Sequence, residues 1–335
     1  MSNIYENNIN PTFLVGAERS GTTLLRLMLD RHPDIAWCSE FEYAVDKITD
    51  DGNFPEVKAY CESVEPNFIF RAHGFKLNDR LTYPELIKDF LKQRQTEANK
   101  PLIGATCHRN FHRLLYIWPE AKFMHIVRDP RDVARSCIGM GWAGNTWYGV
   151  DGWMEAEKAW EILKQKVSSS RCLEISYERF ITDNKTVLEE MCDFMGTKFN
   201  GLMFDYEDST EYKLPDPGLI FQWKKKASKE EVQMVEAKVG NLLEDRVYQS
   251  SNFPTIYPSR AKRAHLRLQN YLFKLENRIK TFGFILFMAD FLSRKLNLKK
   301  WQRTIILEMN DIILANIKHF DGNPQILEAR KRRGK

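Results

Sequence analysis

The chain has 335 residues, 43% of them hydrophobic and 28% charged, enough to bury a full α/β core and carry a smaller appended module. No run reaches the roughly 18 apolar residues of a membrane span. The six cysteines have neither CxxC nor metal-ligand spacing, which argues against a disulfide scaffold or a zinc module. They are expected to be reduced thiols of a cytoplasmic enzyme, and the polar start MSNIYENNINPTF reads as neither a secretory signal nor a transit peptide. The net charge of +5 conceals a division. Residues 259–335 hold 18 Lys and Arg against 6 Asp and Glu, whereas residues 1–258 hold 32 against 39. The chain is therefore expected to comprise a main domain, 1–258, and a basic helical extension, 259–335.

Residues 12–15, TFLV, are β-branched and apolar and predict a buried strand. Gly16 opens a turn, and residues 22–30 predict a largely apolar helix. Strand, glycine-flanked loop and helix together point backbone N–H groups and a positive helix end at one place, where an anion belongs. The spacing Gly16-x4-Gly21 is that of a phosphate loop, but Thr22 stands where an ATPase or GTPase carries lysine. The cation comes earlier, as Arg19, with hydroxyls at Ser20, Thr22 and Thr23. This pattern suits one 5′-phosphate bearing a transferable group, with no chelated metal required. The plainer alternative is a glycine turn before a core helix.

A second strand is expected over 34–38, followed by Ser39, Glu40 and Glu42 near the sheet edge where parallel sheets bind ligands. Residues 46–78 read as an insertion shaping an acceptor pocket, with His73 and Lys76 outside any motif. A helix over 84–99 and a strand over 102–105 follow, then Thr106, His108 and Arg109. A short helix is expected over 111–118 and a fourth strand over 121–127. Directly after it comes Arg128-Asp129-Pro130-Arg131-Asp132, in which Asp129 can cap a helix that Pro130 begins. Arg128 can grip a phosphate through two parallel N–H bonds. Ser136 falls two turns on, facing back, and Arg131 and Asp132 are expected to pair with neighbours. Residues 139–152, rich in glycine and aromatics, read as a mobile loop over the acceptor site. Further helices are expected over 153–167, 183–195 and, from the capping box Ser228–Glu231, 228–243, with a strand over 172–176.

The run Arg19-Ser20-Gly21-Thr22-Thr23-Leu24-Leu25-Arg26, continuing to His32-Pro33-Asp34-Ile35, resembles the sulfotransferases that use 3′-phosphoadenosine 5′-phosphosulfate (PAPS). Its loop is most similar to the tyrosylprotein type, and Arg128 to Asp132 looks like the 3′-phosphate motif of the same enzymes. The likeness extends in patches over residues 11–248. It implies a P-loop-like three-layer α/β sandwich with a mainly parallel sheet. It also implies transfer of a sulfuryl group from PAPS to a hydroxyl acceptor, leaving adenosine 3′,5′-bisphosphate. By that resemblance Gly16, Arg19, Ser20, Gly21, Thr22 and Thr23 hold the 5′ end, and Arg128, Ser136 and Tyr177 read the 3′-phosphate. Glu40 matches the general base, with Glu42 as fallback and His108 as the alternative base. Thr106 stands where many relatives carry a sulfate-reaching lysine, and His108 and Arg109 are the nearest substitutes. Residues 209–226, with Trp223 aligned, resemble a lid over the nucleotide. Two other readings stand beside this one: a 3′-phosphonucleotide-binding protein without chemistry, and a phosphotransferase with an unusual loop.

In the extension, Leu268, Tyr271, Leu272, Leu275, Ile279 and Phe282 recur at helical spacing among basic residues, and a second stripe runs from Ile305 to Ile317. Such helices pack on the catalytic domain, pair two copies of the chain, or lie on an anionic membrane surface. No stacking motif or fold supports nucleic acid as a partner.

Overall fold

The computed structural model describes residues 10–210 and 212–316; residues 1–9, Ile317 and the basic end 330–335 lie outside the described residues. Five strands form one sheet: β1 (Thr12–Val15), β2 (Ile35–Glu40), β3 (Leu102–Cys107), β4 (Lys122–Val127) and β5 (Cys172–Ser176). They are hydrogen-bonded in the order β2-β3-β1-β4-β5, and every pairing is parallel. The side-chain period of two divides each strand between two cores. Phe13 and Val15 of β1 enter one core and Leu14 the other. In β4, Phe123 and Val127 face the first, while Met124 and Ile126 face the second. With both faces covered, the sheet is buried, as all-parallel sheets are.

Helix α1 (Thr22–Arg31) covers one face with Leu25, Met28 and Leu29. Helix α2 (Tyr83–Ala98) covers the other with Leu86, Ile87, Phe90 and Leu91. Thr82 and Glu85 form its capping box, and Asn99 ends it in the left-handed conformation. Helix α3 (Pro130–Gly139) begins at Pro130 with the Asp129 carboxylate accepting from the Arg131 N–H. Helix α4 (Asp151–Lys164) packs on the same face as α2 through Trp153 and Trp160, and α5 (Tyr177–Thr182) and α6 (Asn184–Met195) pack beside α1. The result is the three-layer α/β sandwich expected from the sequence.

Two local expectations change. β2 runs on to Glu40, with an irregularity in register between Cys38 and Glu40, so Glu40 ends the strand rather than following it. Residues 139–152 are not a free loop. The segment includes a helical turn, Thr146–Gly149, capped by the Asn145 side chain, and Gly149 lies tightly against the backbone of Ala134. Gly141, Gly144 and Gly149, read as mobility, instead allow close approach.

Helix α7 (Lys229–Val239) closes the first face, with the Ser228–Glu231 capping box in place. The extension then forms α8 (Arg260–Phe282), α9 (Phe284–Lys295) and α10 (Lys299–Asn316). α10 is fastened to residues 65–72: Arg71 pairs with Asp311 at 3.1 Å, Arg303 with Glu65 at 2.5 Å, and Leu314 and Ala315 pack on Ala72.

Candidate functional site

β1 and β4 are neighbours, with Val15 in register with His125. The loops that leave their C-terminal ends, after Val15 and after Val127, therefore emerge side by side. The first needs glycine at both ends. A Cβ on Gly16 (φ +140°) would lie 2.3 Å from the Ile126 carbonyl oxygen, and one on Gly21 (φ +95°) would lie 2.5 Å from the Tyr177 ring. Between them Arg19 adopts a left-handed conformation, φ 69°. Gly21 is the residue from which α1 starts, so the positive end of α1 faces the loop.

The two loops touch. Arg19 Nε donates to Ser136 Oγ at 3.0 Å, joining the first loop to α3. Arg128 donates through Nη1 to the Arg19 carbonyl at 3.1 Å and through Nη2 to the Leu219 carbonyl at 3.2 Å. Its guanidinium carbon lies 4.2 Å from the centre of the Tyr177 ring. A cavity of about 670 Å³ opens at this junction, in the size range of ligand pockets. Arg19, Gly21, Thr22, Thr23, Arg128, Ser136 and Tyr177 all line it. Five of its lining side chains are cationic (Arg19, Arg128, Arg135, Lys213 and Lys226) against Asp132 and Asp216, so the field inside favours a polyanion.

Of the several buried side-chain polar atoms without a protein partner among the described residues, two belong to these loops: Ser20 Oγ in the first and Arg128 Nε at the second. Buried polar groups are rarely left unpaired, and Arg128, which lines the cavity, keeps Nε for an anion there, while Arg19, Thr22 and Thr23 line it from the first loop. The residues present therefore fit a ligand with a phosphate at each end.

The walls of the second loop are held by charge. Arg131 pairs with Asp129 at 2.7 Å and Glu236 at 2.6 Å, and its guanidinium stacks 3.7 Å from the Trp223 ring centre. Trp223 Nε1 donates to Asp129 Oδ2 at 2.9 Å, and the Trp223 and Gln222 amides donate to Asp132 at 2.7 and 3.2 Å. Burial pushes the Asp132 carboxyl up, against the pull of Arg128 and these two amides. Thus Arg131 and Asp132 do pair with neighbours, and the pairing fixes Gln222 and Trp223 beside the cavity. Sequence reasoning missed Arg135 as a lining residue, and it covered Tyr212 and Lys213 only as part of the lid-like segment. For Arg135 a signal existed, since Asp132, Arg135 and Ser136 share a helix face.

Glu40 and His108 are not in the cavity wall. His108 is buried behind the first loop: its Nδ1 lies 2.9 Å from the Gly16 carbonyl oxygen, and its backbone N–H donates to Glu42 Oε1 at 2.7 Å. Glu42 is itself buried, and burial pushes its carboxyl up. Glu40 is half-buried at the end of β2. Of the residues considered in place of a lysine, Thr106 is fully buried and accepts from Trp37 Nε1 at 3.0 Å. Arg109 is held by both oxygens of Asp46, at 3.0 and 2.6 Å. His73, outside any motif, proves to be a half-buried hub, 2.7 Å from Ser39 Oγ and 3.2 Å from the Tyr43 hydroxyl.

A parallel sheet with a glycine loop, a helix positive end and a facing arginine loop defines an α/β protein of the P-loop-like class, with a site suited to phosphate. The sulfotransferase family's sequence model matches residues 11–201, and the chain belongs to that family. It is similar to the protein-tyrosine sulfotransferase of Drosophila melanogaster, 21% identical over 61% of this chain and 41% of that protein. It is likewise similar to protein-tyrosine sulfotransferase 1 of Danio rerio, 22% identical over 61% of this chain and 58% of that one. The chain thus spans about half the length of these two relatives. The sulfotransferase domain of the Synechococcus PCC 7002 olefin synthase shares the fold, with a TM-score of 0.55 and 18% identity over 74% of this chain and 98% of that one. So does the sulfotransferase domain from the curacin biosynthetic pathway, with a TM-score of 0.51 and 16% identity over 72% and 99%.

Proposed function

We propose that the protein transfers a sulfuryl group from PAPS to a hydroxyl acceptor. The observation that carries this is the meeting of the two cradles, Arg19 with Ser136 and Arg128 with the Arg19 carbonyl, around one cationic cavity. PAPS bound there would supply an activated sulfuryl group on a 5′-phosphate. Ser20 Oγ, the loop amides and Arg19 hold that end, and Arg128, Ser136 and Tyr177 hold the 3′-phosphate. Arg19 puts positive charge where negative charge gathers during transfer, the preorganised stabilisation on which such reactions depend. Positioning the acceptor in line supplies much of the remainder.

A base must take the acceptor proton; neither Glu40 nor His108 lines the cavity, and His108 has a ring nitrogen available for the role. A carbonyl oxygen only accepts, so Nδ1 of His108 carries the hydrogen it gives to Gly16. That leaves the Nε2 lone pair free to receive a proton. Glu40 is the competing base. The test is transfer of labelled sulfate from PAPS by the wild type, His108→Gln and Glu40→Gln, with affinity for adenosine 3′,5′-bisphosphate measured alongside. His108→Gln should lose about 10²–10⁴-fold in turnover, the usual worth of a general base, while keeping nucleotide affinity. If Glu40→Gln alone has that effect, the base is Glu40. Nucleotide binding without any transfer, across a panel of carbohydrate, lipid, tyrosyl-peptide and small-molecule hydroxyls, would leave the protein a binder without chemistry.

A further inference from the structure

Helix α8 meets the catalytic domain along one face, on which Leu266 is buried, Phe273 packs on Gly144 and three hydrogen bonds cross. Asn145 Nδ2 donates to the Leu266 carbonyl at 2.9 Å, the Gly144 N–H donates to Asn270 Oδ1 at 2.8 Å, and Asn277 Nδ2 donates to the Gly141 carbonyl at 3.3 Å. At 3.6 residues per turn these three positions lie within about 40° of one another around the helix. Leu268, Tyr271, Leu272 and Leu275 lie about 140–240° away, on the opposite side. The apolar stripe that makes α8 amphipathic therefore does not pack on the catalytic domain. Leu268 is 55% exposed, Tyr271 62% and Leu272 51%. The exposure continues past Gly283 into α9, where Phe284 is 63%, Ile285 86% and Phe291 50% exposed. Side chains of this kind are not left in water in such number without a partner.

We propose that α8 and α9 form a monotopic docking surface for an anionic lipid bilayer. Charge identifies the occupant. Residues 260–300 carry eleven Lys and Arg against two acids. One of the two, Asp290, is 2% exposed and held by Arg278 at 2.7 Å and Arg294 at 2.8 Å, so it adds no negative charge to the apolar surface. Lys274, Lys295, Lys299 and Lys300 are exposed, and Lys295 Nζ lies 6.0 Å from the Phe291 ring centre. A second copy of the chain would bring an equally basic surface against this one and be repelled, whereas acidic headgroups over an apolar layer complement both features. The surface lies on a bilayer and does not cross it: α9 has 12 residues, about 18 Å of helix against a hydrocarbon core of about 30 Å. Among the described residues no helix is long and apolar enough to span. Because α8 also holds Gly141 and Gly144, the segment between them, with Trp142 beside Arg19, stays tied to the docked helix.

The test is flotation of the full chain with vesicles of phosphatidylcholine alone and of phosphatidylcholine with 30% phosphatidylglycerol. Wild type is expected to float with the anionic vesicles at least tenfold more than with the neutral ones. The double variant Leu272→Asp, Ile285→Asp should lose that binding at least tenfold, while Lys299→Glu, Lys300→Glu should lose the preference for anionic lipid. Affinity for adenosine 3′,5′-bisphosphate serves as the folding control, and light scattering without lipid reports association. Absence of wild-type flotation with anionic vesicles overturns the proposal. So does a dimer that the Leu272→Asp, Ile285→Asp variant dissociates while vesicle binding is unchanged. None of these readouts depends on sulfuryl transfer.

Discussion

Replacing Arg128 by lysine tests the second cradle while keeping its charge. The side chain is only 14% exposed, so water does little to replace a lost bond. Its guanidinium already spends Nη1 and Nη2 on the carbonyls of Arg19 and Leu219, and Nε is buried without a protein partner. A lysine ammonium has the charge but not the planar fork. Loss of one charge-assisted hydrogen bond to a phosphate costs about 1.5–3 kcal/mol. Affinity for adenosine 3′,5′-bisphosphate should therefore fall about 10- to 150-fold. The control ligand is 5′-AMP, which lacks the 3′-phosphate. Calorimetry of both ligands with wild type and Arg128→Lys closes a cycle in which loosening of the Arg19 and Leu219 carbonyls enters both arms and cancels. If Arg128 reads the 3′-phosphate, the loss is confined to the bisphosphate. Equal losses for the two ligands would show that Arg128 only braces the loops, and the assignment of the second cradle would fail.

Two further predictions concern the scaffold. Burial first, then Arg26 and Arg94, push the His73 imidazole down to about 3. Below pH 6.5 the unfolded chain therefore takes up a proton that the folded chain refuses, and stability falls with falling pH by about 2 kcal/mol at pH 5 from this group. Thermal melts at pH 7.5 and 5.0 should show a smaller drop for His73→Asn than for wild type; equal drops would remove His73 as the source. Glu157, fully buried, meets His125 Nε2 at 3.2 Å and the Arg246 guanidinium. Glu157→Gln should destabilise the fold by about 3 kcal/mol, the low end for breaking a buried pair, because Glu161 still holds Arg246 at 2.6 Å. A denaturant midpoint unchanged from wild type would contradict this.

The legible parts of the site were those whose signals are local. Gly16 and Gly21 announce their turn because no other residue tolerates those close approaches, and Asp129-Pro130 announces a helix start because the cap and the ring act within one turn. The capping box Ser228–Glu231 is of the same kind. His73 was illegible, since its partners Ser39 and Tyr43 lie 30 or more residues away and no spacing encodes them. The apolar stripe of α8 was visible as a stripe, but whether it turned inward depended on Gly144 and Asn145, which take the opposite face.

Composition, turn chemistry and strand periodicity by themselves determined an α/β chain with two loops suited to anions and a basic, helical end. They did not determine that the loops belong to one site. That follows from the sheet order, which sets β1 against β4 across more than 100 residues of chain and so brings Arg19 to Ser136. The physical reason is that a parallel sheet aligns strand ends irrespective of their separation in sequence, whereas local signals reach only a few residues along the backbone.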